Sequence, residues 1–104
     1  MQLNYDIVTK DDILVRVSGD LDINSCDEFR DDLIEEYEKH PSDIKIDATG
    51  LEFIDSTGLG ALIKVYNEIK PNNHKIHIDN IKKHVNKVFT ITEMDKIFVI
   101  TEVE

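Results

Sequence analysis

Phe53-Ile54-Asp55-Ser56-Thr57-Gly58-Leu59-Gly60 sets an aspartate and two hydroxyl residues where an apolar strand pattern gives way to a helix start. The first amides of a helix lack intrahelical partners and sit at the positive end of its dipole, so an anion placed there meets donors already aimed at it. Phosphorylation of Ser56, with Thr57 as a secondary candidate, would put such an anion in place. A plainer alternative is that Ser56 only caps the helix, because Asp, Ser and Thr all suit that position. Asp55 either orients the Ser56 hydroxyl or is a turn aspartate bonded to backbone amides.

Other chemistries fit the motif less well. An acid protease needs two Asp-Thr/Ser-Gly loops, and here two hydroxyl residues precede the glycine in a chain too short to hold a second loop. A serine hydrolase needs a base beside the serine and a strained Gly-x-Ser-x-Gly turn, and Ser56 lies in a different frame. Gly58-Leu59-Gly60-Ala61 lacks the lysine and length of a phosphate loop, so nucleotide binding is only weakly marked. His74 and His77 are three apart, but strand alternation sends them to opposite faces, and no metal or other cofactor is expected. Cys26 reads as a core residue, and a single cysteine cannot form an internal disulfide.

Periodicity predicts the strands and helices around this motif. Leu3, Tyr5 and Ile7, then Ile13, Val15 and Val17, alternate around Lys10-Asp11-Asp12, which predicts a hairpin. Ser25-Cys26-Asp27-Glu28 reads as a capping box, and Cys26, Phe29, Leu33, Ile34 and Tyr37 share one face of the helix it opens. The opposite face carries Asp31, Asp32, Glu35 and Glu36 and reads as solvated surface. Ile44, Ile46 and Ala48 predict a short strand, with a turn at Thr49-Gly50 leading to the serine motif. Leu59, Leu62, Ile63, Tyr66 and Ile69 stripe a second helix, near whose start Gly58 and Gly60 allow another backbone to approach. Pro41 and Pro71 act as stops after these two helices. Ile76 and Ile78 predict a further strand, Ile81, Val85, Val88 and Phe89 a third helix, and Ile97 to Ile100 with Val103 a final strand. The order β-β-α-β-α-β-α-β predicts an α/β fold: one domain over residues 1–104, with helices packed on a mixed, mostly parallel sheet of about five strands that opens on an antiparallel hairpin. The loops Gly19 to Asn24 and Phe53 to Gly60 then meet at the carboxyl edge of the sheet.

Composition narrows the partners. Twelve Lys and Arg against 22 Asp and Glu give a formal net charge of -10, which disfavours nucleic acid and anionic lipid and suits a basic protein surface. The start carries no leader pattern, and no stretch approaches the roughly 20 apolar residues that span a bilayer. A cytoplasmic protein is expected.

With the upstream Gly19-Asp20-Leu21-Asp22, the serine motif resembles the STAS-domain anti-sigma-factor antagonists of bacteria, and Val88 to Phe98 is similar to the segment in which the family's third helix leads to the last strand. The resemblance covers nearly the whole chain. It implies a binding switch rather than an enzyme: the unmodified protein captures an anti-sigma factor, which is also its serine kinase and supplies the ATP, and phosphorylation at Ser56 ends the complex. A serine phosphatase would reset the cycle, and a monomer is expected when free. The partner surface implied comprises Asp20, Asp22, Asp55, Ser56, Thr57, Gly58 and Leu59, although the first loop acid is often glutamate in the family. Glu93-Met94 departs from a common Gly-Leu, and the chain ends at Glu104, shortly after the last strand. The alternatives are a STAS-type scaffold or adaptor outside sigma control and a nucleotide-binding module.

Overall fold

Burial alternates along the central strands, and that alternation decides the architecture. Along β2 (Ile13–Leu21) every second residue, from Ile13 to Leu21, is buried, while Leu14, Arg16 and Ser18 face outward. In a computed structural model describing residues 2–103, β1 (Asn4–Thr9) pairs antiparallel with β2, and β3 (Ile44–Ile54), β4 (Ile76–Ile81) and β5 (Val99–Glu102) follow in parallel, in the order β1-β2-β3-β4-β5. Each parallel neighbour is reached through a helix: α1 (Cys26–Lys39), α2 (Ser56–Ile69) and α3 (Lys83–Ile91). Right-handed crossovers that all step in one direction lay every helix on the same face. One core results. Phe29 and Leu33 of α1, Val65 and Ile69 of α2, and Val85 and Phe89 of α3 are buried with Ile13, Val15, Ile44, Ile46, Ile76 and Ile78 of the sheet.

Several local expectations are corrected. Thr49-Gly50 is not a turn: β3 continues through it, absorbing one extra residue where Arg16↔Asp47 gives way to Ser18↔Gly50, and Asp47 Oδ1 accepts from the Thr49 N–H (3.1 Å) and hydroxyl (2.6 Å) across the bulge. Ile81 ends β4 rather than opening the third helix, because its backbone pairs with Glu102 of β5. The last strand begins at Val99; Ile97 closes a 3₁₀ turn, and Phe98 packs edge-on against Phe89 with ring centroids 5.7 Å apart. Glu93, which stands where the resembling family often has glycine, adopts φ 61°, the left-handed region that favours glycine.

The capping box at Ser25 is not formed either. No side-chain bond caps α1. The Ser25 hydroxyl instead accepts from the Asp22 N–H (3.1 Å) and donates to the Asp20 carbonyl (3.0 Å), folding the Gly19–Asn24 loop onto itself. Gly19 makes that loop possible: its φ is +94°, and a Cβ there would lie 2.2 Å from the Gln2 carbonyl oxygen.

Candidate functional site

Register brings the two loops together as expected. Asp20 pairs with Phe53 and Leu21 with Ile54 at the carboxyl ends of β2 and β3, and the Asp55 N–H donates to the Leu21 carbonyl at 3.3 Å. α2 begins one residue later, at Ser56. Its cap is Asp55: backbone φ and ψ there are extended, and Oδ1 accepts from the Gly58 N–H (2.9 Å) and the Thr57 hydroxyl (2.6 Å). Ser56 is exposed, and among the described residues its hydroxyl has no hydrogen-bond partner. The two adjacent hydroxyls therefore differ: Thr57 is tied to the cap, and Ser56 is exposed with no bond among the described residues.

Burial acts to raise the Asp55 pKa, but the Thr57 hydroxyl and the N–H groups of Gly58, Thr57 and Ile23 together outweigh it, holding the carboxyl below its ordinary value. A carboxyl depressed in the folded state stabilises the protein above its unfolded pKa and loses that contribution as pH falls through the folded one. Asp55→Asn keeps a capping oxygen, so it is expected to cost only about 0.5–1 kcal/mol at neutral pH. It should also lose less stability than the parent between neutral pH and the acid side of the ordinary Asp value of about 3.9, where the parent's carboxylate becomes protonated. Urea unfolding of both proteins at the two ends of that range checks this.

The remaining residues expected at the site divide. Asp20 and Asp22 are half-buried beside the motif; Asp22 turns its carboxylate to the Asn24 N–H (3.0 Å), while its carbonyl receives the N–H groups of Ser25 (3.1 Å) and Cys26 (2.8 Å) and so starts α1. Gly58 and Leu59, expected on the partner surface, are both buried. Leu59 is only 5 % exposed because the first turn of α2 points it into the core with Leu62, and Gly58 is buried with a Cβ position 2.3 Å from the Leu21 carbonyl oxygen. Gly58 lets α2 approach β2; nothing approaches Gly60, contrary to expectation.

Two apolar residues that the sequence pattern does not single out are exposed next to the motif loops: Ile23, 69 % exposed, and Phe53, 49 % exposed. Strict alternation from Leu51 would bury Phe53. A second bulge, where Gly19↔Leu51 gives way to Asp20↔Phe53, turns Ile54 inward instead and leaves Phe53 outside. Beside Phe53, Lys82 bridges back to the strand, bonding Glu52 Oε1 at 2.7 Å and the Thr49 carbonyl at 3.0 Å.

The histidines form no cluster. His74 precedes β4 and meets the Tyr37 hydroxyl, whereas His77 bonds Asp43 at 3.1 Å, and among the described residues no group of three or more His, Cys, Asp or Glu could hold a metal ion. Cys26 is buried in the core. No helix among the described residues is long and apolar enough to cross a membrane.

A five-strand mixed sheet with helices on one face, and a Ser-Thr-Gly helix start fed by an aspartate cap, define a class. The STAS domain profile matches residues 4–104, and the chain belongs to the STAS domain family. It is 25 % identical over 103 residues to an anti-sigma-B factor antagonist of Staphylococcus epidermidis, covering 98 % of this chain and 95 % of that protein. It is 26 % identical over 98 residues to the anti-sigma-B factor antagonist of Bacillus subtilis, covering 93 % and 89 %. The fold also matches SpoIIAA, an anti-sigma factor antagonist, in its unphosphorylated form (TM-score 0.73, 18 % identity, 99 % of this chain and 90 % of that one). Its phosphorylated form matches with TM-score 0.72 and 19 % identity, over 96 % and 91 %.

Proposed function

We propose that this protein is an anti-sigma-factor antagonist whose unphosphorylated form binds an anti-sigma factor and whose binding ends when Ser56 is phosphorylated. The observation that carries this reading is the division of labour at the start of α2. Asp55 caps the helix and ties down Thr57, leaving Ser56 exposed with a hydroxyl that the fold does not use. The names of the curated relatives support the antagonist role, and the existence of a phosphorylated SpoIIAA supports control by phosphate in this fold.

The contact surface on this reading comprises Asp20, Asp22, Asp55, Ser56 and Thr57, with Ile23 and Phe53 supplying the apolar contacts in place of the buried Leu59. Phosphate adds about -1.5 to -2 charges at neutral pH beside the Asp55 carboxylate, and in a packed interface that charge would have to be desolvated. Control is then local electrostatics, with the fold unchanged. The anti-sigma factor acts as the serine kinase and brings the ATP, a serine phosphatase restores the hydroxyl, and the free protein is a cytoplasmic monomer without catalysis of its own.

Incubation with the host's anti-sigma kinase and ATP, followed by peptide mass mapping, tests this. One phosphate at Ser56 is expected, and Ser56→Ala should accept none. Phosphate confined to sites other than Ser56 and Thr57 would refute the switch.

A further inference from the structure

The two glycines at the start of α2 differ in what the fold asks of them. Gly58 is pressed onto the Leu21 backbone, whereas a Cβ built on Gly60 meets nothing within 4 Å. Gly60 is exposed, within the helix and without positive φ. Glycine is among the weakest helix formers, so at this position it works against α2 for no reason found within the chain itself. Beside it a groove of about 260 Å³ lies between α1 and α2, with Ile23, Asp27, Arg30, Thr57, Gly60 and Lys64 in its lining. Arg30 is already held by Asp27 at 3.0 Å and Asp31 at 2.9 Å. Lys64 is exposed, and among the described residues no carboxylate pairs with it.

We propose that Gly60 is a specificity-determining residue that keeps this groove open for an apolar side chain of the anti-sigma factor, with an adjoining carboxylate of the partner meeting Lys64. This rests on the reading that an anti-sigma factor docks at this end of the molecule. Thr57 belongs both to the groove and to the surface around Ser56, so the two are continuous. Ile23, 69 % exposed, gives the groove an apolar wall. An apolar side chain laid against Ile23 over the bare Gly60 backbone would be well desolvated, the setting in which single contacts carry most of the affinity. Lys64, the cation of the groove without a carboxylate of its own, sets the complementary sign.

Isothermal titration of the full chain against its host's anti-sigma factor, alongside thermal unfolding, tests the proposal. Gly60→Leu is expected to bind at least about tenfold more weakly, and Lys64→Glu about five- to tenfold more weakly at an unchanged melting temperature. Gly60→Ala should melt at or above the parent while binding about two- to fivefold more weakly. Opposite signs for stability and binding in that variant separate an open partner seat from a structural role. Parent-like binding by Gly60→Leu, Gly60→Ala and Lys64→Glu overturns the proposal and leaves the antagonist reading standing. Failure of the parent itself to bind overturns both.

Discussion

Ser56→Asp is expected to weaken binding of the anti-sigma factor by at least about a hundredfold, a loss of about 2.8 kcal/mol, while Ser56→Ala binds within about twofold of the parent. An unpaired charge buried at an interface costs roughly 3–5 kcal/mol, so a single carboxylate is sufficient. Its position strengthens the effect, because Asp55 is adjacent and its carboxyl is held below the ordinary range, so the two negative charges coexist at neutral pH. The alanine variant removes only a hydroxyl that has no partner among the described residues, so neither cap nor core changes. Isothermal titration of the parent and both variants gives the affinities, and circular dichroism should give parent-like unfolding for each. Equal binding by the two variants would show that charge at Ser56 is not the control.

Gly58→Ala is expected to destabilise the fold by about 2–3 kcal/mol, lowering the melting temperature by about 10–20 °C. The added Cβ would lie 2.3 Å from the Leu21 carbonyl oxygen and 2.9 Å from its carbon. These are backbone atoms of a strand residue paired with Ile54 of β3, and no side-chain rotation can move them aside. α2 must therefore shift away from β2. That shift strains the Asp55 N–H bond to the Leu21 carbonyl and carries the start of the helix with it. Thermal unfolding measures the loss, and titration with the anti-sigma factor should show weakened binding even though Gly58 is buried. A parent-like melting temperature would show that the helix can retreat without cost.

Much of the fold was legible from periodicity alone. Ile13, Val15 and Val17 alternate, and they face the core; Phe29, Leu33 and Tyr37 repeat at helical spacing, and they are buried. The meeting of the Gly19–Asn24 loop with the serine motif followed from element order, because each parallel strand delivers its carboxyl end to the same edge. Periodicity failed where the period itself was interrupted. Two extra residues in β3 shift the phase of alternation, turning Leu51 and Ile54 inward and Phe53 outward, and a bulge is decided by pairing with β2, which no local pattern in β3 encodes. The burial of Leu59 has a related cause: the motif marks where α2 starts, but which side of its first turn meets the sheet depends on how closely Gly58 lets it approach Leu21.

The α/β order, the helix start after Ile54 and the aspartate with two hydroxyls there are local properties, readable from residue types and their spacing. Which hydroxyl is left over depends instead on how the end of β3 pairs with β2. Asp55, Ser56 and Thr57 all carry an oxygen able to cap a helix, and the Asp55 N–H bond to Leu21 just past the end of β3 aims its carboxylate at Thr57 and Gly58 and leaves Ser56 facing outward.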